Sequence, residues 1–315
     1  MAKMQQIRMR DPFILQAAPG EYVLYGTTDE NLWGGPGTGF DCYTSSDLEE
    51  WAGPFPAWRP ARGFWADTQF WAPEVHAYKG RFYMFATMAT STASPKVRGT
   101  CVLVADTPTG PFEPLSDGPV TPTNVPCLDG TLYVDEHQVP WIVYSRGAEG
   151  VPGGEPGPQD GEMYARQLTT DLSAPAGDPV LIFTSKSAPW SKPMILPPGV
   201  EPKPELNLAK HPHFTDGAFL IKSASGSLLM LWSAFGEAGY AMGVARSDSG
   251  SVLGPWVQNE KPLWAKNGGH GMVLHDSSGK NYLVFHAPND TPNERVQMVE
   301  VLINTHGLEL LQDNL

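Results

Sequence analysis

The 315-residue chain carries 33 glycines and 31 prolines, too many breakers for long helices but usual for short strands joined by turns. Its formal charge of −13 comes from acids scattered along the chain with no Lys/Arg block, which argues against nucleic-acid and anionic-membrane partners and favours a neutral or cationic ligand. The opening MAKMQQIRMRDPF lacks an apolar signal core, and no stretch approaches the ~18 apolar residues of a membrane span. The expectation is a cytoplasmic protein, or a secreted one if a signal peptide has been lost from the chain. Cys42, Cys101 and Cys127 form an odd set without metal-type spacing and read as reduced core residues.

In chain order, strand-length apolar runs appear at 22–28 (YVLYGTT), 81–89 (RFYMFATMA), 139–146 (VPWIVYSR), 227–235 (SLLMLWSAF) and 281–288 (NYLVFHAP). A turn precedes each, and before each turn lies another short apolar run, so the pattern predicts five hairpins. A third strand follows every hairpin, and the phrases AGPFPA, TGPFEP and LGPWVQ echo one another beyond it. With anchors at Asp11, Glu74, Asp129, Asp216 and His270, the unit recurs at about 55 to 63 residues, save for about 87 between Asp129 and Asp216. Small antiparallel sheets at that period predict an all-β, five-bladed β-propeller in one domain over 1–315, with blades near 11–60, 71–117, 127–185, 215–266 and 268–311. The long interval holds two inserts, 147–161 and 187–214, expected to be loops near the binding face.

The anchors pose a question of chemistry. A generic β-sandwich would leave each Asp-Pro or Asp-Gly as an ordinary turn. In a propeller the same acids converge on one end of the central channel. Carboxylates crowded in one pocket repel one another, and two of them can hydrolyse a glycosidic bond, one protonating the leaving oxygen while the other activates water or attacks the sugar. Sugar rings stack on aromatic faces, which makes Trp33, Trp65, Phe70 and Trp71 candidate walls, whereas Trp141 and Trp232 lie in hairpin strands and read as core. No phosphate loop, zinc helix or nucleophile elbow is present, so no organic cofactor is expected.

RDPF at 10–13, WAPEVHAYKGRFYMFAT at 71–87, LDGTLYVDEHQVPWIVY at 128–144, TDGAFLIK at 215–222 and GGHGMV at 268–273 together resemble glycoside hydrolase family 43, over about residues 8 to 305. The resemblance implies inverting hydrolysis of arabinofuranosides or xylosides from plant-type oligosaccharides or polysaccharide side chains. It makes Asp11 the general base, Asp129 the group that tunes and orients the acid, and Asp216 the acid. The family usually has a Glu-Gly-Pro at that last place; here the side chain is one methylene shorter, so Glu205 and Glu74 are reserve candidates. Glu74 is otherwise expected to bind sugar hydroxyls or form an ion pair, and Arg295 to set a positive charge beside the acids. By the same resemblance His270 helps hold a calcium ion on the propeller axis, or else it bonds the central carboxylates. Removal of terminal α-L-arabinofuranosyl units is the expected activity. A β-xylosidase, a galactofuranosidase and a non-catalytic sugar-binding propeller are the alternatives.

Overall fold

A computed structural model describes residues 1–92, 97–150, 153–194, 204–305 and 307–311. Five antiparallel sheets follow one another along the chain. From the inside outward, blade I runs Arg10–Ala18, Glu21–Thr27, Phe40–Ser45 and Glu50–Trp58, with Ala2–Lys3 added at its outer edge. Blade II runs Thr68–Tyr78, Arg81–Ala89, Arg98–Ala105 and Glu113–Pro114; blade III runs Cys127–Val134, Pro140–Arg146, Glu162–Gln167 and Val180–Thr184. Blade IV runs Asp216–Lys222, Leu228–Gly236, Gly239–Ser247 and Val257–Gln258; blade V runs Gly269–His275, Asn281–Ala287, Arg295–Ile303 and Leu308–Leu310. Each inner strand packs against the next blade, and blade V packs on blade I, which closes the ring as a five-bladed propeller. Helical structure among the described residues is limited to three single 3-10 turns.

The hairpins and third strands fall where the apolar runs predict them. Each blade also has a fourth strand, which the sequence reading did not draw. In blades II and IV it is two residues long, and in blade I it carries Gly and two Pro, so no run of β-formers marks it. The repeated Gly-Pro phrases stand at or just before these outer strands, with cis bonds at Gly53–Pro54, Gly110–Pro111 and Gly254–Pro255.

Middle strands are covered on both faces by neighbouring blades, so they lose the polar/apolar alternation. Arg98–Ala105 is buried at every position, and Leu228–Ala234 likewise. The core is therefore a set of interblade layers, in which Trp51 and Trp232 are fully buried. Cys42, Cys101 and Cys127 are free thiols inside these layers.

Local turn chemistry agrees with the register. Lys79 and Gly80, with φ of 46° and 80°, join the paired Tyr78 and Arg81, a two-residue hairpin that needs positive φ at both central positions.

Candidate active site

All five inner strands break register at the same place. The ladder skips between Arg10 and Phe13, Trp71 and Glu74, Leu128 and Thr131, Asp216 and Phe219, and Gly269 and Met272. A β-bulge bends the strand and re-aims one side chain. Its first residue has positive φ in every blade: Asp11 51°, Ala72 45°, Asp129 53°, Gly217 50° and His270 52°. Asp tolerates this left-handed conformation better than most residues. At Gly217 a side chain is also excluded by space, since a Cβ there would lie 2.7 Å from the His270 ring.

The bulge frees a backbone N–H, and the second strand of the preceding blade captures it. Ala72 N–H donates to Thr27 Oγ1 and Asp129 N–H to Thr87 Oγ1, both at 2.8 Å. His270 N–H donates to Ser233 Oγ at 2.8 Å, and Asp11 N–H donates to His286 Nδ1 at 3.1 Å. Thr27, Thr87, Ser233 and His286 occupy equivalent places near the ends of their strands. Ser145 holds that place in blade III.

This register corrects one expectation. Asp11, Asp129 and His270 are equivalent, but Asp216 stands one residue earlier, in line with Arg10, Trp71, Leu128 and Gly269. The Asp-Gly pairs at 129–130 and 216–217 look alike in sequence and sit one step apart in the sheet. Glu74 lies beyond the bulge, level with Phe13 and Phe219, whose rings approach within 6.2 Å from non-adjacent blades across the channel.

Even so, the three aspartates converge. His270 Nδ1 lies 3.2 Å from Asp11 Oδ1, 3.4 Å from Asp216 Oδ1 and 3.8 Å from Asp129 Oδ2. Those two shorter contacts cap the separation of the nearest Asp11 and Asp216 oxygens near the lower end of the ~6.5–9.5 Å spacing of inverting pairs. Carboxylate oxygens of Asp129 and Asp216 come within 4.8 Å of each other. Thr27 Oγ1 donates to Asp11 Oδ2 at 2.8 Å, Thr87 Oγ1 to Asp129 Oδ1 at 3.1 Å and Tyr240 Oη to Asp216 Oδ2 at 2.7 Å.

Burial sets the protonation pattern. Burial first, then the charge of Asp216, hold the Asp129 carboxyl well above the usual carboxylate range. Burial pushes Asp216 the same way, but hydrogen bonds from Asp129, His270 and Tyr240 outweigh it and hold Asp216 below that range. Two buried carboxyls this close titrate as a unit rather than singly. Although burial opposes a charge on His270, Asp11 and the other two aspartates raise its pKa to about 10. Its Nδ1 is the atom at which the three acids meet.

That arrangement bears on the implied calcium. Calcium takes six to eight oxygen ligands, waters among them, and the cluster here offers Asp129, Asp216 and one imidazole nitrogen. These three side chains alone do not fill a calcium shell, which waters would have to complete.

The acids open into a cavity of about 470 Å³. Its floor includes Arg10, Asp11, Trp71, Leu128, Asp129 and Asp216, from both bulge registers. Trp33 stands at the rim, half-exposed, edge-on to Trp71 at 5.6 Å. From the two inserts come Ala148, Glu149, Met194, Leu206, Leu208 and Phe214, so both reach the binding face as expected. Gly150 N–H to Leu206 O and Gly157 N–H to Asn207 O tie one insert to the other.

Several expected residues are elsewhere. Trp65 packs against the core of blades I and II beside Phe64, and Phe70 is buried between Phe40 and Trp58. Glu74 is hydrogen-bonded to His76 at 3.1 Å and does not line the cavity. Arg295 spends its guanidinium on the carbonyls of Pro292 and Glu294. Helical-turn residue Glu205 has its side chain outside the described residues.

The sequence reading missed the cations actually present. Buried Arg10 lies over the Trp33 ring at 5.1 Å and 3.6 Å from Glu294. Buried Arg98 makes two 2.7 Å bonds to Glu149 and lies 5.6 Å from the Trp71 ring. Tyr240, Phe214, Phe235 and Asn289 also line the cavity unforeseen. Arg10 was readable, since it adjoins Asp11 in RDPF; Arg98 was not, since its partner lies 51 residues away on an insert.

A propeller whose channel mouth holds three clustered carboxylates, a bridging cation and an aromatic rim has the equipment of a glycosidase. The match to the model of glycosyl hydrolases family 43 spans residues 4–305, and the chain belongs to that family. Its structure is similar to that of an endo-arabinase from Bacteroides thetaiotaomicron VPI-5482, with 35% identity, TM-score 0.83, and 98% of this chain and 99% of that one covered. An α-L-arabinofuranosidase from Lactobacillus brevis shares the fold at 16% identity, TM-score 0.70, covering 98% and 97% of the chains. So does an endo-1,4-β-xylanase from Bacteroides thetaiotaomicron VPI-5482, at 21% identity and TM-score 0.71, covering 97% and 95% of the chains. No match was found among curated proteins.

Proposed function

We propose that this glycoside hydrolase removes terminal α-L-arabinofuranosyl units from oligosaccharides or polysaccharide side chains, with inversion. The observation that carries the reading is the opposition of Asp11, held by Thr27 and His286, to the Asp129–Asp216 pair across His270. Asp11 takes a proton from water as its oxygen attacks the anomeric carbon. The glycosidic C–O bond breaks, and the departing oxygen takes the proton shared by Asp129 and Asp216. Asp216, which lines the cavity, delivers that proton to the leaving oxygen. The charges inside the cavity support a neutral sugar, since Arg10 and Arg98 each already face a glutamate.

Arabinose is favoured over xylose or galactofuranose by the likeness to the endo-arabinase. A terminal unit is favoured by the walls, which both inserts and the Trp33 loop raise around the acids. Internal cleavage of arabinan is the second reading, and the same likeness supports it. Incubation with 4-nitrophenyl α-L-arabinofuranoside and its β-xyloside and β-galactofuranoside counterparts, followed by product analysis on linear α-1,5-arabino-oligosaccharides, separates these readings. Release of arabinose alone supports the end-acting enzyme, and a ladder of oligosaccharides overturns it. Binding of arabino-oligosaccharides without turnover of any of them would mark a non-catalytic propeller.

A further inference from the structure

Of the four bulge N–H acceptors observed, three are hydroxyls, at Thr27, Thr87 and Ser233; the one beneath Asp11 is the imidazole of His286. The ring is fully buried and has two further contacts. It stacks on Tyr240 at 5.7 Å with planes 19° apart, and its Nε2 lies 3.3 Å from Asn289 Oδ1 on the cavity wall. Tyr240 in turn donates to Asp216. One side chain thus touches the backbone of Asp11 and the phenol that grips Asp216, at the seam where the last blade meets the first.

We propose that His286 is a positioning residue for hydrolysis, setting the Asp11 bulge through Nδ1 and the Asp216–Tyr240 bond through its ring face. The proposal rests on the reading of Asp11 as the base. Because Asp11 N–H occupies the Nδ1 lone pair, the ring proton belongs on Nε2, where Asn289 accepts it. The ionisable groups facing the ring are Asp11, Arg10, His270 and Tyr240. Burial first, with Arg10 and His270, outweighs Asp11 and lowers the His286 pKa to about 4, so the acceptor form persists through neutral pH.

The two functions separate by substitution. In His286→Asn the amide oxygen takes the place of Nδ1 and the stacking face is lost. In His286→Phe the face remains and the acceptor goes. Steady-state kinetics on the substrate that the wild type turns over should show His286→Phe losing about 100-fold in kcat, the usual effect of a displaced catalytic group, with KM changed less than threefold. His286→Asn should recover at least tenfold of that loss. If His286→Phe keeps wild-type kcat, or if the two variants fall equally, the positioning role is wrong. Should His286→Phe fail to fold, Asn289→Ala offers the same decision. By freeing the tautomer it should lower kcat about tenfold, whereas a residue that only contacts sugar would raise KM with kcat intact. Asp11→Asn, measured alongside, separates the two levels: retained activity there sinks the assignment of the base, and lost activity there with an indifferent His286→Phe sinks only this inference.

Discussion

Asp11, Asp129 and His270 rise from a bulge that every inner strand repeats, whereas Trp33, Glu149, Leu206 and Leu208 reach the same cavity from connections whose length differs from blade to blade. The floor is fixed by backbone register, with four of the five bulges anchored to the preceding blade. The wall hangs on side-chain contacts such as the Arg98–Glu149 pair and on hydrogen bonds between the two inserts. On the proposed function, chemistry falls to the floor and selectivity to the wall. Floor substitutions should act on kcat for every substrate, and wall substitutions on KM and on the choice among substrates.

The largest effect is expected from Asp11→Asn, which cannot accept the proton of water. It should lower kcat by about 10⁴-fold on aryl and natural substrates alike. Asp216→Asn comes next. Good leaving groups need little protonation, so a nitrophenyl glycoside should lose about tenfold and an arabino-oligosaccharide about 10³-fold. Equal losses on the two would remove Asp216 from the role of acid.

A smaller and more diffuse effect should follow pH. His270 titrates near 10 in the fold and near 6.5 when unfolded, so its contribution to stability is complete below about pH 6.5 and fades as pH rises towards 10. His286 titrates near 4 in the fold, so its contribution is complete above about pH 6.5 and fades as pH falls towards 4. Urea melts across pH should show His270→Gln flattening the alkaline side and His286→Asn the acid side. Overlapping profiles for both variants and the wild type would refute the charge pattern.

On the wall, Glu149→Ala leaves buried Arg98 without its partner and should cost about 3 kcal/mol of stability, while raising KM for oligosaccharides more than for aryl glycosides. Trp33→Ala should raise KM several-fold, in keeping with about 1 kcal/mol of aromatic contact, and leave kcat alone. The smallest change is expected from EDTA, which should leave melting temperature and turnover unaltered; a loss restored by calcium would return His270 to an axial metal site.

The same division governs what the sequence revealed. Hairpins, the five-fold repeat and the acids at the channel mouth were legible because they depend on apolar alternation, turns and a repeated backbone register. Residue order within the bulge was not, since Asp129-Gly130 and Asp216-Gly217 are identical dipeptides one step out of phase. Pairing across long loops left no local mark either, so Arg98 and Tyr240 were missed while Arg295, Trp65 and Phe70 were assigned to a cavity they do not reach. Aromatic residues next to a site in sequence alternate across the strand: Trp71 faces the cavity, and neighbouring Phe70 faces the core.

The central claim is that Asp11 directs water, opposite a proton donor shared by Asp129 and Asp216. Proton NMR of the first turnovers of 4-nitrophenyl α-L-arabinofuranoside tests it most directly, by identifying the anomer released before mutarotation. The β-anomer should appear first, as direct attack by water requires. Initial release of the α-anomer would mean that a carboxylate attacks the sugar itself, and would contradict the account.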